Sequence, residues 1–116
     1  MNIEELREYC ITKKGVTEGF PFDDTSLVLK VMNKIFAIIA LDKHFVNLKC
    51  DPEYAIELRE KYSQIIPGYH MNKQQWNSVY FAESLSDDLI KELVDDSYDL
   101  IVAKFTKKLK KEFDEL

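Results

Sequence analysis

The sequence has few of the residues that build disulfide frameworks, phosphate-binding loops or flexible linkers. Its 116 residues include two cysteines, three glycines and three prolines. Two cysteines are too few for a disulfide framework, which favours a reduced, cytoplasmic setting. The scattered glycines cannot form the Gly-rich cradle of a phosphate-binding loop. Because linkers have little room in such a chain, we expect a single domain over residues 1–116.

The chain also lacks long apolar stretches. No run of about 18 apolar residues is present, so we expect no membrane-spanning helix. The N-terminal sequence MNIEELREYCITKK has neither the basic region nor the long apolar region of a signal peptide. With 46% hydrophobic and 32% charged residues, the composition is typical of a globular protein rather than a disordered one.

The hydrophobic pattern predicts an α+β fold. A first helix begins after Asn2, and three strands follow over SLVLKVM, IFAIIAL and HFVNLKC. A second helix starts at DPEYAIELREKY, two strands lie near Ile66–Met71 and Trp76–Ala82, and Ser86 caps a long last helix. The order α-β-β-β-α-β-β-α predicts one mostly antiparallel sheet of five strands, with the helices packed mainly on one face.

Three connections carry specific expectations. The segment VTEGFPFDD is predicted to be an irregular loop in which Phe20 and Phe22 pack on the core. Asn33 and Lys34 are predicted to form a two-residue hairpin turn. A helical tail is predicted at the C-terminus, with a break near Thr106.

Charge is distributed unevenly along the chain. The net charge is −5, which by itself argues against a nucleic-acid binder. Residues 26–50, which hold the first three predicted strands, nevertheless carry +3, from four lysines and one aspartate. Residues 83–103, in the last long helix, carry −6, from seven acids and one lysine. The strands are therefore expected to be basic and the last helix acidic.

The sequence contains no recognisable catalytic or metal-binding pattern. No pair among His44, His70, Cys10 and Cys50 has the spacing of a zinc site. His44 and Cys50 lie about 20 Å apart along one predicted strand, too far for a Cys–His nucleophile. A contact of His70 with Cys50 across the sheet stays open, although a buried, inert cysteine is favoured. We therefore expect a non-enzymatic protein without metal or cofactor.

Nucleic-acid binding has more support from the residue types. Lys30, Asn47 and Lys49 lie on predicted strands, where they could contact phosphates. Lys34 and Lys73 lie at predicted turns, where a hairpin could act as a wing. From the residues alone, an ordinary solvated surface is the favoured interpretation of these lysines.

The stretch IIPGYHMNKQQWNSVYF concentrates further candidates. Tyr69, His70 or Trp76 could stack on bases. The structural alternative is that Trp76 anchors the core and that Asn72 makes a turn. For Ser97 and Tyr98 in the last helix, structural roles at the helix–sheet contact are favoured.

Four segments resemble the MmcQ/YjbR family of small bacterial proteins in their order and spacing: KIFAI, VNLKCDPEYAIELRE, PGYHMNKQQWNSV and DDSYDLIVAKF. One departure is the first hairpin, which reads MNK where a glycine before the lysine is common in the family. The resemblance implies a fold similar to the secretion-chaperone class and a DNA-binding role in which paired hairpins act as a double wing. It implies no catalytic motif.

The resemblance and the residue types together predict a site. The residues that match the family's pattern are Lys34, Phe36, Lys49, His70, Lys73, Trp76, Ser97 and Tyr98. The candidate DNA-binding residues are Lys34, Lys49, His70, Asn72, Lys73 and Trp76, with double-stranded DNA as the partner. The alternative is a protein-binding or chaperone-like module, or a homodimer, that uses an open sheet face.

Overall fold

The computed structural model describes residues 1–116 and contains four helices and six strands. The helices are α1 (Ile3–Ile11), α2 (Pro52–Lys61), α3 (Asp87–Val102) and α4 (Lys107–Asp114). The strands are β1 (Val16–Gly19), β2 (Ser26–Val31), β3 (Lys34–Ala40), β4 (Phe45–Lys49), β5 (Ile65–Pro67) and β6 (Trp76–Tyr80). All strand pairs are antiparallel, in the order β1-β2-β3-β4-β6-β5.

Polar side chains fix the start of every helix. Asn2 and Glu5 form a capping box at α1, while Asp51 and Ser86 cap α2 and α3. Thr106 caps α4, so the C-terminal tail breaks at the residue that was predicted. None of the four helices combines the length and the apolar character needed to cross a membrane.

All four helices pack on one face of the sheet, as predicted. Leu27, Leu29 and Val31 of β2 point into this core, together with Val46 and Leu48 of β4. The helices contribute Leu6, Cys10, Ala55, Leu58, Ile90, Leu93, Val94, Tyr98 and Phe113 to the same cluster of 22 buried residues. The opposite face of the sheet, here called the outer face, carries no helix.

The prediction of five strands is wrong by one edge strand. Residues 16–19 form β1, which pairs with β2 from Val16 opposite Val31 to Gly19 opposite Val28. The element order is therefore α-β-β-β-β-α-β-β-α-α. Thr17 and Glu18 are exposed and polar, so backbone pairing to β2 rather than hydrophobic alternation explains this strand.

The loop after β1 also differs from its prediction. Phe20 and Phe22 were expected to pack on the core, yet they are 50% and 65% exposed. Pairing of β1 with β2 takes the chain along the sheet edge, which leaves both rings outside the core.

The turn between β2 and β3 is shifted by one residue from the predicted one. Val31 pairs with Lys34, so the turn residues are Met32 and Asn33 rather than Asn33 and Lys34. Both have positive φ, 48° and 68°, as a type I′ hairpin turn requires. A methionine thus occupies a left-handed position that favours glycine, in the turn where the sequence departs from the MmcQ/YjbR pattern.

Candidate nucleic-acid interface

Three of the candidate residues lie at the same end of the sheet. Lys34 pairs with Val31 beside the β2–β3 turn. Lys49, at the end of β4, pairs with Trp76, at the start of β6. We call this end of the sheet the hairpin end. The antiparallel register therefore brings together Lys34, Lys49 and Trp76, which are far apart in the sequence.

Two lysines from the junction of α3 and α4 lie close to these residues at the hairpin end. Lys34, Lys104 and Lys108 line one groove of about 440 Å³. Lys49 lies against Lys104, and burial followed by the contact with Lys104 lowers the pKa of Lys49. We call these four lysines the basic cluster. Glu112 also lines the groove, but none of the four lysines forms an ion pair.

The basic cluster therefore holds positive charge that no ion pair neutralises. The first turn of α4 has no acidic residue, so the positive end of this helix adds to the same potential. Like charges placed this close repel one another, and the lowered pKa of Lys49 is one sign of that repulsion. A bound anion would relieve it, which makes the hairpin end chemically suited to phosphate groups.

Asn72 and Lys73, two of the predicted DNA-binding residues, lie in the β5–β6 loop (residues 68–75) and make local contacts there. The Lys73 amine donates to the Gly68 carbonyl at 3.3 Å, and Arg59 donates to the Lys73 carbonyl at 2.9 Å. The Asn72 side-chain oxygen accepts the Gln74 amide at 3.0 Å, so Asn72 makes the turn that the structural alternative expected. These contacts tie Lys73 to its own loop rather than to the basic cluster.

His70 lies in this loop and not on a strand. A strand was expected near Ile66–Met71, but β5 ends at Pro67 and His70 has a φ of 58°. Its ring packs against the Tyr69 ring at a tilt of 54°, with centroids 4.1 Å apart. Both rings lie above the outer face of the sheet, away from the helices.

A hydrogen-bond network fastens the loop to the outer face. The Tyr69 amide donates to the Ser78 hydroxyl at 2.9 Å, and the Asn47 side-chain amide donates to the Tyr69 carbonyl at 3.1 Å. The Ser78 hydroxyl donates to the Asn47 side-chain oxygen. Asn47 and Ser78 face each other on β4 and β6 and are buried. Asn47, expected as a phosphate contact, is therefore a structural residue.

The loop forms one wall of a cleft of about 520 Å³, here called the outer-face cleft. Its floor includes Ile35 and Ile38 of β3 and Phe45 of β4. Tyr69 and His70 form part of its side. Sequence reasoning missed this cleft, because it depends on the fold of the β5–β6 loop.

The two cysteines lie apart from this surface. Burial raises the pKa of Cys10 to about 12 and that of Cys50 to about 11, so both thiols stay protonated near neutral pH. Cys50 belongs to the core, whereas His70 lines the outer-face cleft. The pairing of His70 with Cys50 that the sequence left open does not occur. No group of three or more His, Cys, Asp or Glu side chains is arranged to hold a metal ion.

Trp76 is partly buried and anchors the loop through a close backbone contact. The Gly68 amide donates to the Trp76 carbonyl at 2.8 Å. A Cβ atom at Gly68 would lie 2.9 Å from both the Cβ and the carbonyl oxygen of Trp76. Only glycine allows this approach of the two chains without a backbone shift.

We expect Gly68→Ala to lower the free energy of unfolding by about 1–3 kcal/mol, because the added methyl overpacks against the Trp76 backbone. Urea denaturation measures this change. Gly19→Ala is the matched control, since no heavy atom lies within 4 Å of a Cβ there, and it should change stability by less than about 0.5 kcal/mol. Equal losses in the two variants would contradict the steric explanation.

Together these features define a small α+β domain whose antiparallel sheet is covered by helices on one face and carries a cleft on the other. The YjbR family model matches residues 11–100, which is most of the chain. The chain therefore belongs to the YjbR family.

Two curated relatives and one solved structure support this assignment. "Uncharacterized protein YjbR" of Escherichia coli strain K12 is 38% identical over 100 residues, which cover 84% of this chain and 85% of that protein. "Uncharacterized protein YbdF" of Escherichia coli O157:H7 is 38% identical over 91 residues, covering 77% and 75% respectively. The crystal structure of Deinococcus radiodurans protein DR2400 is 36% identical with a TM-score of 0.91, and the match covers 97% of this chain and 88% of that one. These names carry no activity over to the chain.

Proposed function

We propose that this domain is a non-enzymatic, nucleic-acid-binding module that contacts phosphate groups with the basic cluster at the hairpin end. The observation that carries the proposal is the meeting of Lys34, Lys49, Lys104 and Lys108 without a carboxylate in ion-pair contact. Phosphate contacts by lysine release condensed counterions, which is the main source of affinity for a nucleic-acid backbone.

The acidic helix limits how DNA can approach. The exposed residues Asp87, Asp88, Glu92 and Asp99 of α3 would repel the phosphate backbone along the side of this helix. DNA that approaches the hairpin end contacts the basic cluster first. Such a local field allows binding in spite of the net charge of −5. The proposed phosphate contacts therefore include Lys104, which the sequence did not single out, and leave out Lys73, which the sequence did.

The test is the salt dependence of duplex binding. Each lysine that neutralises one phosphate contributes about 0.9 to the slope of log K against log salt. The triple variant Lys34→Ala, Lys49→Ala and Lys104→Ala should therefore flatten this slope by about 2.7 and weaken binding at low salt. Fluorescence anisotropy of a labelled duplex, titrated at several salt concentrations, measures both quantities.

A matched triple variant controls for the change in net charge. Lys61, Lys91 and Lys110 are exposed and lie outside the basic groove, so their replacement by alanine removes the same charge. The slope of this control should equal that of the wild type. Absence of wild-type binding at low salt to both duplex and single-stranded DNA, or equal slopes in all three proteins, would contradict the proposal.

A protein-binding module is the second candidate. It is favoured by the exposure of Phe20 and Phe22 and by the open outer face beside them. A partner segment or a second copy of the chain would cover these rings. Protein binding becomes the favoured function if the wild type binds neither duplex nor single-stranded DNA.

A further inference from the structure

The outer-face cleft has the dimensions and lining of a ligand site, yet the proposed phosphate contacts do not use it. Its volume of about 520 Å³ lies within the range of pockets that hold small organic groups. Phe22, Phe45, Tyr69 and His70 line it, so most of its side-chain surface is aromatic or aliphatic. Tyr69 is 47% exposed, which leaves much of its ring accessible to a ligand.

The cleft extends close to the hairpin end. Ile35, on its floor, directly follows Lys34 of the basic cluster, so the two side chains point to opposite faces of β3, and a nucleic-acid strand that contacts both must pass around this end of the sheet. Asn47, also in its lining, lies two positions before Lys49 on the same face of β4. Lys43 lines the cleft beyond the other end of β3, with its amine 5.0 Å from the Tyr69 ring centroid. Lys43 therefore borders the cleft directly, while Lys34 lies just beyond its other end, in the groove on the helix side of the sheet.

The interior of the cleft is unsuited to phosphate. Asp23 and Asp42 line it. Backbone hydrogen bonds from Thr25 and Ser26 lower the pKa of Asp23, so this carboxylate stays ionised. Two carboxylates would repel a phosphate from the interior, while the apolar floor accepts a neutral planar group. A polyanion bound here must keep its phosphates on the bordering lysines and direct its uncharged parts inward.

We propose that the outer-face cleft binds an unpaired base of a single-stranded nucleic acid whose phosphates contact the basic cluster. The inference rests on the proposed function and names its preferred substrate. An unpaired base presents a flat π-face that stacks on Tyr69, whereas a duplex hides these faces inside the helix. The network from Asn47 and Ser78 to the Tyr69 backbone holds the ring in place before any ligand arrives.

The experiment compares two labelled strands with the same number of phosphates. One is an oligothymidylate of about 12 nucleotides, a length within the usual site sizes, and the other is an abasic strand of equal length. The wild type should bind the oligothymidylate about 10-fold more tightly, since stacking of one base on an aromatic ring contributes a factor of about 5 or more. Tyr69→Ala should reduce this ratio to about 1, with its affinity for the abasic strand unchanged.

Two variants separate base stacking from other effects. Tyr69→Leu keeps apolar volume but removes the π-face. Its ratio of affinities for the two strands should therefore fall to about 1, and this test remains even if Tyr69→Ala folds poorly. Phe20→Ala removes an aromatic ring that is 50% exposed and does not line the cleft, and it should keep the ratio. The triple variant Lys34→Ala, Lys49→Ala and Lys104→Ala should lower the affinity for both strands by the same factor.

The outcomes distinguish this inference from the proposed function. Equal wild-type affinity for the two strands, with loss of both in the lysine variant, would overturn the base-binding cleft and leave the phosphate contacts standing. An unchanged ratio in Tyr69→Leu would likewise overturn it. Absence of binding to either strand and to duplex would overturn both proposals.

Discussion

Truncation of Phe36 to alanine is expected to lower the free energy of unfolding by about 3–5 kcal/mol, the usual range for a core phenylalanine. The ring is 0% exposed and packs edge-on against Tyr98, with centroids 5.4 Å apart. Tyr98 donates a hydrogen bond to the Lys14 carbonyl and packs beside Phe113 of α4. The cavity would therefore open where the sheet, α3 and α4 meet, and these elements cannot close it without moving together.

A shift in register explains why this ring reaches the core. Leu29 pairs with Ala37 and Lys30 pairs with Ile35, so Phe36 is an extra residue on β3. The bulge lets Phe36 and Ala37, which are adjacent in sequence, both be fully buried. Phe36 is thus a structural residue of the YjbR pattern and not part of the candidate surface.

Urea denaturation of Phe36→Ala and Phe22→Ala measures the effect. Phe22 is 65% exposed, so the same truncation there should change the free energy of unfolding by less than about 0.5 kcal/mol. A loss at Phe36 that does not exceed the loss at Phe22 would contradict the packing described above.

Local signals in the sequence predicted most helices and strands. The caps at Asn2, Asp51, Ser86 and Thr106 act through side chains only three residues from their partners, so a linear pattern contains them. The strand β1 has no such signal. Its formation depends on the neighbouring edge of β2, which no pattern within residues 16–19 describes.

The basic cluster could be predicted only in part. Lys34 and Lys49 were identified from a turn and a strand. Lys104 and Lys108 lie in a segment whose net charge of +2 is visible in the sequence, but their meeting with Lys34 depends on how α4 turns at Thr106. That angle is a property of tertiary packing.

The outer-face cleft could not be predicted because its contacts join distant residues. Asn47 and Ser78 are 31 positions apart, and Asn47 and Tyr69 are 22 apart. Alternation along β4 places Asn47 on the outer face, but it does not show what lies above that face. The polar side chain was therefore interpreted as a phosphate contact, although the β5–β6 loop covers it.

Asn47→Ala is expected to lower the free energy of unfolding by about 2–3 kcal/mol, because the Tyr69 carbonyl and the Ser78 hydroxyl both lose a partner in a buried setting. The loop over residues 68–75 would lose its attachment to β4. Hydrogen exchange of the amides in this loop should accelerate, while exchange in β2 and β3 should follow only the global change in stability.

Asn77→Ala is the matched control, since it removes the same atoms from a neighbouring buried site. Asn77 is 2% exposed and Asn47 is 5% exposed, so truncation removes similar buried volume. The Asn77 amide donates one long hydrogen bond of 3.4 Å to the Ala55 carbonyl, and its side-chain oxygen has no partner. Its truncation should therefore cost about 1 kcal/mol less than that of Asn47. Equal losses, or loop amides that exchange at the wild-type rate in Asn47→Ala, would show that the Asn47–Ser78–Tyr69 network does not hold the loop over the sheet.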